Sequence, residues 1–300
     1  MRPTRILLTG ADGMLGRALT AALAASPATR DWPLLGVSLA DFDIADREAL
    51  DACVDAFGPD VVIHTAALAV VDTCETSPKT AMRVNIEGLR NIAAACRRHG
   101  ARLLSLSSDY VFDGLGAPAG GYREEDLPNP LSVYGLTKVA GERICSLVPG
   151  HLNIRTSWLF GGTDEGVDVV LAAVRQLRRG EAPRLIHDQF SLPTYTADLA
   201  DALVFLLTRE TPVTGTLHIA NSGTASWYEV GREIRAVLGT GPQPLPLPMA
   251  ECGFIGGRPV DSTLGTARLA GLGLVLPHWR DALHRFLADL PADAPEDAVR

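Results

Sequence analysis

Apolar and polar positions follow two alternating periods through the first half of the chain. Short apolar runs at residues 5–9, 34–38, 61–65, 102–107 and 152–156 are fit for strands buried on both faces of a parallel sheet. Between them, residues 14–25, 46–57, 78–99 and 132–147 repeat their apolar residues at helical spacing. Strands alternating with helices predict an α/β fold, a doubly wound parallel sheet with helices on both faces. Gly100 stops one helix, and Pro149-Gly150 stops the next. Beyond about residue 158 the alternation fades. Helical patterns remain at 167–179, 196–208, 227–238 and 279–290, with a strand pattern at 216–220 and an extended, proline-rich connector at 242–248. The expected division is a sheet domain over 1–157, a smaller α/β subdomain mainly over 158–290 with segments returning to the first, and a frayed Pro/Ala/Asp-rich tail at 291–300.

Composition narrows the class. A chain of 300 residues with 47% hydrophobic content can bury one large core or two modest ones. No apolar run approaches the roughly 18 residues of a membrane span, which speaks against a membrane partner. The start Met-Arg-Pro-Thr-Arg leads into a strand without a signal-peptide core, so a cytoplasmic protein is expected. Cysteines at 53, 74, 96, 145 and 252 form no C-x-x-C pair and read as reduced, structural thiols. A net charge of −8, with no basic tract beyond the doublets at 97–98 and 178–179, disfavours nucleic acid as a partner.

Two features carry chemistry. Gly10, Gly13 and Gly16 stand between the first strand and the first helix, where they permit a tight turn, close approach of backbone to a pyrophosphate, and close helix–strand packing. Phosphates there would meet free N–H groups at the helix start. The second feature is Tyr134-Gly-Leu-Thr-Lys138. Only two of the 27 Lys and Arg residues are lysines, and chance supplies this Tyr–Lys spacing about 0.03 times in such a chain. Four residues apart on a helix, phenol and ammonium share a face. A neighbouring positive charge lowers a tyrosine pKa towards the working pH and makes Tyr134 a usable proton donor.

Further segments follow in order: Pro59-Asp-Val-Val-Ile-His-Thr-Ala-Ala67, Val71-Asp-Thr-Cys-Glu75, Asn85, Ser107-Ser-Asp-Tyr-Val-Phe-Asp-Gly114, Arg155-Thr-Ser-Trp158, Ser191-Leu-Pro-Thr194, Arg258-Pro-Val-Asp-Ser-Thr-Leu264 and Leu276-Pro-His-Trp279. Together with the glycine turn and Tyr134/Lys138, they resemble the extended short-chain dehydrogenases/reductases, most closely the dTDP-4-dehydrorhamnose reductase family. The resemblance implies an NAD(P)-binding Rossmann domain over 1–157 and hydride transfer to the C4 ketone of a nucleotide-linked 4-keto-6-deoxysugar. It implies Tyr134 as proton donor, Lys138 as the residue holding the nicotinamide ribose and tuning Tyr134, and Ser108 rather than Ser107 as the hydroxyl that bonds the ketone oxygen. On the cofactor it implies Gly10, Asp12, Gly13, Met14, Leu15, Gly16, Ser38, Asp43, Ile44, Ala66, Ala67 and Asn85, besides Tyr134 and Lys138. On the nucleotide-sugar substrate it implies Val71, Ser108, Asp109, Trp158 and Arg258. His64 and His218 read as hydrogen-bonded structural residues.

The second strand ends at Ser38 without a carboxylate to bind a ribose 2′-hydroxyl, which favours NADP(H) and leaves NAD(H) as the alternative, with Asp41 and Asp43 close by. Arg17 is a candidate partner for a 2′-phosphate. Some relatives hold magnesium at a dimer interface through a glutamate two residues after the last glycine. Ala18 stands there, so no metal is expected and a homodimer stays open. Residues 161–168 depart from the family's usual Asn-Phe pair, which leaves the exact sugar undetermined. Two other readings are a non-catalytic regulatory subunit, like the partner of methionine adenosyltransferase, and an epimerase or dehydratase. Intact Ser108, Tyr134 and Lys138 speak against the first. Asp109-Tyr110 after Ser108, in place of the dehydratase Asp-Glu, speaks against the second.

Overall fold

The protein is described by a computed structural model over residues 3–291. The tail expected at 291–300 therefore lies, beyond Pro291, outside the described residues. Six parallel strands form the central sheet: β1 (Ile6–Thr9), β2 (Leu34–Val37), β3 (Val61–His64), β4 (Arg102–Ser108), β5 (Leu152–Thr156) and β6 (Gly215–His218). Their order is β2-β1-β3-β4-β5-β6. Hydrophobic side chains fill nearly every position of β1 and β3, as a sheet covered on both faces demands.

The longer helices are α1 (Met14–Ala25), α2 (Arg47–Phe57), α3 (Leu89–His99), α4 (Val133–Cys145), α5 (Val169–Arg178), α6 (Thr196–Leu207), α7 (Trp227–Leu238) and α8 (Trp279–Asp289). On one face of the sheet, Leu15, Leu19 and Leu23 of α1 meet Leu199, Leu203 and Leu206 of α6 over Ile6, Leu8 and Ile154. On the other, α2, α3 and α4 bury Leu50, Val54, Ile92, Cys96 and Cys145 against Leu7, Val62 and Leu103. A third cluster, with Phe160, Val174, Ile234, Trp279 and Phe286, belongs to α5, α7 and α8. Although α6 and β6 come late in the chain, they complete the first core and the sheet edge. Arg184–Ile186 and Leu245–Leu247 pair as a short parallel ribbon, so the proline-rich connector is extended and Pro246 lies in an edge strand.

The helix expected over 78–99 is not continuous. It starts as Pro78–Met82, passes through a π-helical turn at Arg83–Gly88 and resumes as α3. A further short helix, Val71–Thr76, precedes it. Likewise α4 ends at Cys145 with Ser146 as its cap, and Pro149-Gly150 falls in the following turn.

Candidate active site

The carboxyl ends of β1 to β5 converge on one edge, where open α/β sheets bind ligands. Gly10 turns the chain there with a φ of +75°, and a Cβ on it would lie 2.7 Å from the Ala66 nitrogen. A side chain on Gly16 would collide with the Gly10 carbonyl and the Ala11 backbone. Those two contacts close the turn and press α1 onto it. The helix begins at Gly13 with no side-chain cap and no acidic residue in its first turn. Its first N–H groups, at the positive end of the helix dipole, are a fit for the diphosphate of a dinucleotide. Leu15 is buried beneath. Asp12, Gly13, Met14 and Arg17 line a 590 Å³ cleft whose opposite wall is Gly161, Gly162 and Thr163.

At the end of β2, Ser38 donates through both its N–H and its hydroxyl to Asp41 Oδ2, at 2.8 and 3.2 Å. A carboxylate therefore reaches this strand end from three residues further on. Asp43 accepts from Ala45 N at 2.9 Å and from Arg83 at 2.6 Å. The Ala45 N–H and the Arg83 guanidinium together hold its carboxyl below the usual range against partial burial. Ile44 is buried against Gly88. Arg17 does not turn towards β2: it donates to Asp12 O at 2.7 Å and to Thr163 Oγ1 at 3.3 Å, bridging the glycine turn and the 161–163 segment.

Behind β3, Asn85 spends its amide inside the protein. Its oxygen accepts from Leu68 N at 2.8 Å, and its nitrogen donates to Leu68 O at 3.0 Å and Thr137 Oγ1 at 2.9 Å. The π-helical turn that carries Asn85 thus ties the loop after Ala66 and Ala67 to α4. Ala66, Ala67, Asn85 and Lys138 border a small void beneath that loop.

Helix α4 presents Tyr134, Lys138 and Glu142 at successive i, i+4 positions, a single stripe against β4. Ser132 caps the helix by accepting from Gly135 N at 3.1 Å, and Glu75 accepts from Val133 N at 2.6 Å. Lys138 Nζ donates to Leu106 O at 3.1 Å and lies 5.6 Å from the Tyr134 ring centre. Both side chains are half-buried, and Lys138 lines the small void behind β3. Desolvation brings the Lys138 ammonium down to about 8, opposed by nearby Cys74 and Glu142. It pushes the Tyr134 phenol well above the ordinary value, while the Ser108 hydroxyl pulls the other way. The expected lowering of Tyr134 is corrected here: its pKa is raised, chiefly by burial, and the group that opposes the rise is Ser108 rather than Lys138.

Ser107 and Ser108 end β4 on opposite sides, as the two-residue period of a strand requires. Ser107 donates to Glu142 at 2.6 Å, away from the cleft. Ser108 faces the cleft, donates to Asp109 Oδ1 at 3.0 Å and accepts from Tyr110 N at 3.2 Å. Asp109 is 2% exposed, and its other oxygen accepts from Ser262 at 2.5 Å, Ser191 at 2.9 Å and Ser157 at 3.1 Å. Burial raises its carboxyl pKa, and those hydroxyls oppose the rise.

A 490 Å³ cleft opens from Ser108, Asp109 and Tyr134, with Val71, Trp158 and Arg258 on its walls. Trp158 has a φ of +42°, the left-handed region, and stacks on Trp227 with ring centres 4.4 Å apart. Arg258 donates to Asp72 at 2.8 Å and Gly256 O at 2.6 Å, with its guanidinium 4.0 Å from the Phe254 ring centre. Tyr110, Gln189, Trp227 and Phe254 also line this cleft, and sequence reasoning missed all four as site residues. Tyr110 follows the Ser-Asp pair directly and was within reach; nothing local in the sequence announces the others. His64 shares a hydrogen bond of 2.7 Å with Thr9 Oγ1, and burial lowers its pKa to about 3. His218 lies between Arg155 and Gly265 O. Among the described residues, no cluster of His, Cys, Asp or Glu could hold a metal ion, and no helix is long and apolar enough to cross a membrane.

Comparison with known proteins bears on this arrangement. A family profile described as "RmlD substrate binding domain" matches residues 4–291. The chain is 38% identical over 287 residues to a dTDP-4-dehydrorhamnose reductase of Streptomyces griseus, covering 93% of this chain and 91% of the relative. It is 35% identical to a dTDP-4-keto-6-deoxy-D-glucose reductase of Streptomyces niveus, covering 96% and 98%. Among solved structures, a dTDP-4-dehydrorhamnose reductase from Bacillus anthracis in complex with NADP superposes with a TM-score of 0.88 at 31% identity, over 96% of this chain and 100% of that one.

Proposed function

Because the chain belongs to the RmlD substrate binding domain family, we propose that it is an NADPH-dependent oxidoreductase that reduces the C4 ketone of a dTDP-linked 4-keto-6-deoxysugar. The observation that carries this reading is the placement of Ser108 and Tyr134 together on the 490 Å³ cleft, with Lys138 one helical turn from Tyr134 on the small void behind it.

A bound nicotinamide dinucleotide supplies the hydride. The first N–H groups of α1 hold its diphosphate, with Gly10 and Gly16 letting the backbone approach. Ser38, Asp43 and Ile44 would hold its adenosine end, with Asp41 beside Ser38. On the substrate side, the Trp158/Trp227 stack and Val71 form apolar walls for the sugar nucleotide. Arg258, paired with Asp72 through Nη1, offers its remaining N–H groups to the diphosphate of the substrate.

Tyr134 keeps its proton at neutral pH, because burial disfavours the phenolate. It delivers that proton to the ketone oxygen as negative charge develops there. The Ser108 hydroxyl donates a hydrogen bond to the same oxygen. The phenolate left on Tyr134 is stabilised by the Lys138 ammonium, since burial alone makes it unfavourable and the Ser108 proton is on the substrate oxygen. Cofactor oxidation followed with purified protein and a dTDP-4-keto-6-deoxysugar tests the reading: turnover with NADPH is expected. Tight cofactor binding without oxidation, over a panel of 4-keto nucleotide sugars, would replace it with a regulatory-subunit reading.

A further inference from the structure

Asp109 is a buried carboxylate held entirely by hydroxyls. Its hydrogen-bond partners among the described residues are Ser108 on one oxygen and Ser157, Ser191 and Ser262 on the other. Ser157 and Ser191 lie 2.5 Å apart, and Ser262 lies 3.1 Å from Ser191, so the last three also touch one another. Exposure is 2% at Ser157 and 0% at Ser191 and Ser262, which leaves them no surface on a ligand. Each serine brings one proton and the Ser157–Ser191 contact takes one, so three donors are left for the two oxygens, which fits the ionised, acceptor-only form of a carboxyl group. The titratable groups facing it are the phenols of Tyr110 and Tyr134.

The serines come from three separate stretches of chain. Ser157 follows β5, Ser191 follows the Gln189 segment, and Ser262 follows Arg258. Backbone bonds from Phe190 N to Val260 O at 2.8 Å and from Ser262 N to Phe190 O at 3.0 Å join the last two stretches. Gln189 adds a bond to Pro259 O at 3.0 Å. The stretches that bring Trp158, Gln189 and Arg258 to the cleft therefore also bring the hydroxyls to Asp109.

Ser108 has one proton, and in this arrangement Asp109 Oδ1 accepts it. To bond the ketone oxygen, Ser108 must turn that proton away from the carboxylate. We infer that Asp109 is a positioning residue and that Ser157, Ser191 and Ser262 satisfy its charge while Ser108 turns to the substrate. The inference rests on the reductase reading above. Without those donors the carboxylate would hold the Ser108 proton more tightly, and the loss would appear in the transition state rather than in binding.

The test is the double variant Ser191→Ala/Ser262→Ala, compared with wild type for kcat, KM, cofactor Kd by fluorescence titration, and Asp109 protonation by 13C-carboxyl NMR. A fall in kcat of about tenfold or more is expected, the scale of one charged hydrogen bond, with KM and cofactor Kd unchanged. The deficit should shrink as pH falls and Asp109 protonates, and in the NMR titration Asp109 should take up its proton at higher pH than in wild type. An unchanged kcat, a matching loss of cofactor affinity, or an unmoved Asp109 titration would each overturn the inference. If the double variant does not fold, Ser157→Ala carries the same measurements. A wild type that oxidises no cofactor refutes the reductase reading and this inference with it, whereas a wild type that turns over beside a double variant of equal kcat refutes this inference alone.

Discussion

The two ends of the α4 stripe hold buried carboxylates in opposite ways. At the inner end, Glu142 accepts Arg155 Nε on one oxygen and Arg155 Nη2 on the other, both at 2.8 Å, with Ser107 as a third donor. At the cleft end, Asp109 has four hydroxyls and no hydrogen-bonded cation among the described residues. A buried carboxylate clamped by guanidinium is geometrically committed, because moving either partner strands a charge in low dielectric. One held by hydroxyls can exchange donors at little electrostatic change. The clamp serves the sheet, and the hydroxyl cluster serves the cleft. Lys138 lies between them on the Leu106 carbonyl.

The largest effect should fall at the inner end. Glu142→Gln leaves the Arg155 charge buried without its counter-ion and should destabilise the protein by about 3–5 kcal/mol in chemical denaturation. A loss under about 1 kcal/mol would make the clamp no more structural than an exposed pair. Next, at the cleft end, Tyr134→Phe should lower kcat by about 10²-fold or more, the scale of general acid catalysis, with cofactor affinity and unfolding midpoint unchanged. Near wild-type reduction by that variant would remove the acid from this end.

Lys138 sharpens the comparison through pH, with a smaller effect. Its pKa is lowered from 10.5 to about 8 by burial, so its charge is present below pH 8 and lost above. Turnover and cofactor affinity should decline as pH rises through about 8, and Lys138→Met should abolish that dependence. Stability should respond with the opposite sign. Between about 8 and 10.5 the unfolded chain binds more protons at this lysine than the folded protein does, so its contribution to stability rises with pH there. Parallel declines of activity and stability across that range would show that some other group governs both.

The half of the site built by local sequence was readable, and the half assembled from distant segments was not. Gly10, Gly16 and the Tyr134/Lys138 pair depend on spacing within one turn or one helix, so their positions announce their geometry. The parallel sheet followed from alternating periods, and its late members α6 and β6 were marked as segments of matching pattern. Ser157, Ser191 and Ser262 are ordinary serines until the fold brings them onto Asp109. The Trp158/Trp227 stack likewise joins residues from the end of β5 and the start of α7. Tyr134 shows the other limit: spacing revealed its neighbour, but only the surrounding atoms reveal that desolvation raises its pKa. Asp41 stood beside the cofactor strand in the sequence, but its bond to Ser38 depends on a turn between them.

The π-helical turn at Arg83–Gly88 makes the alignment of α4 a matter of counting residues. A π turn holds more residues per revolution than an α turn, so it amounts to a local insertion that the flanking helices absorb without a bulging loop. Deleting one residue within it would return the segment to plain α-helix with its flanks in place, and would turn the residues inside it, Asn85 among them, towards another face. Asn85 could not then reach both Leu68 and Thr137. The chain's length at this point therefore acts as a gauge, spacing the loop after β3 from the helix that carries the acid.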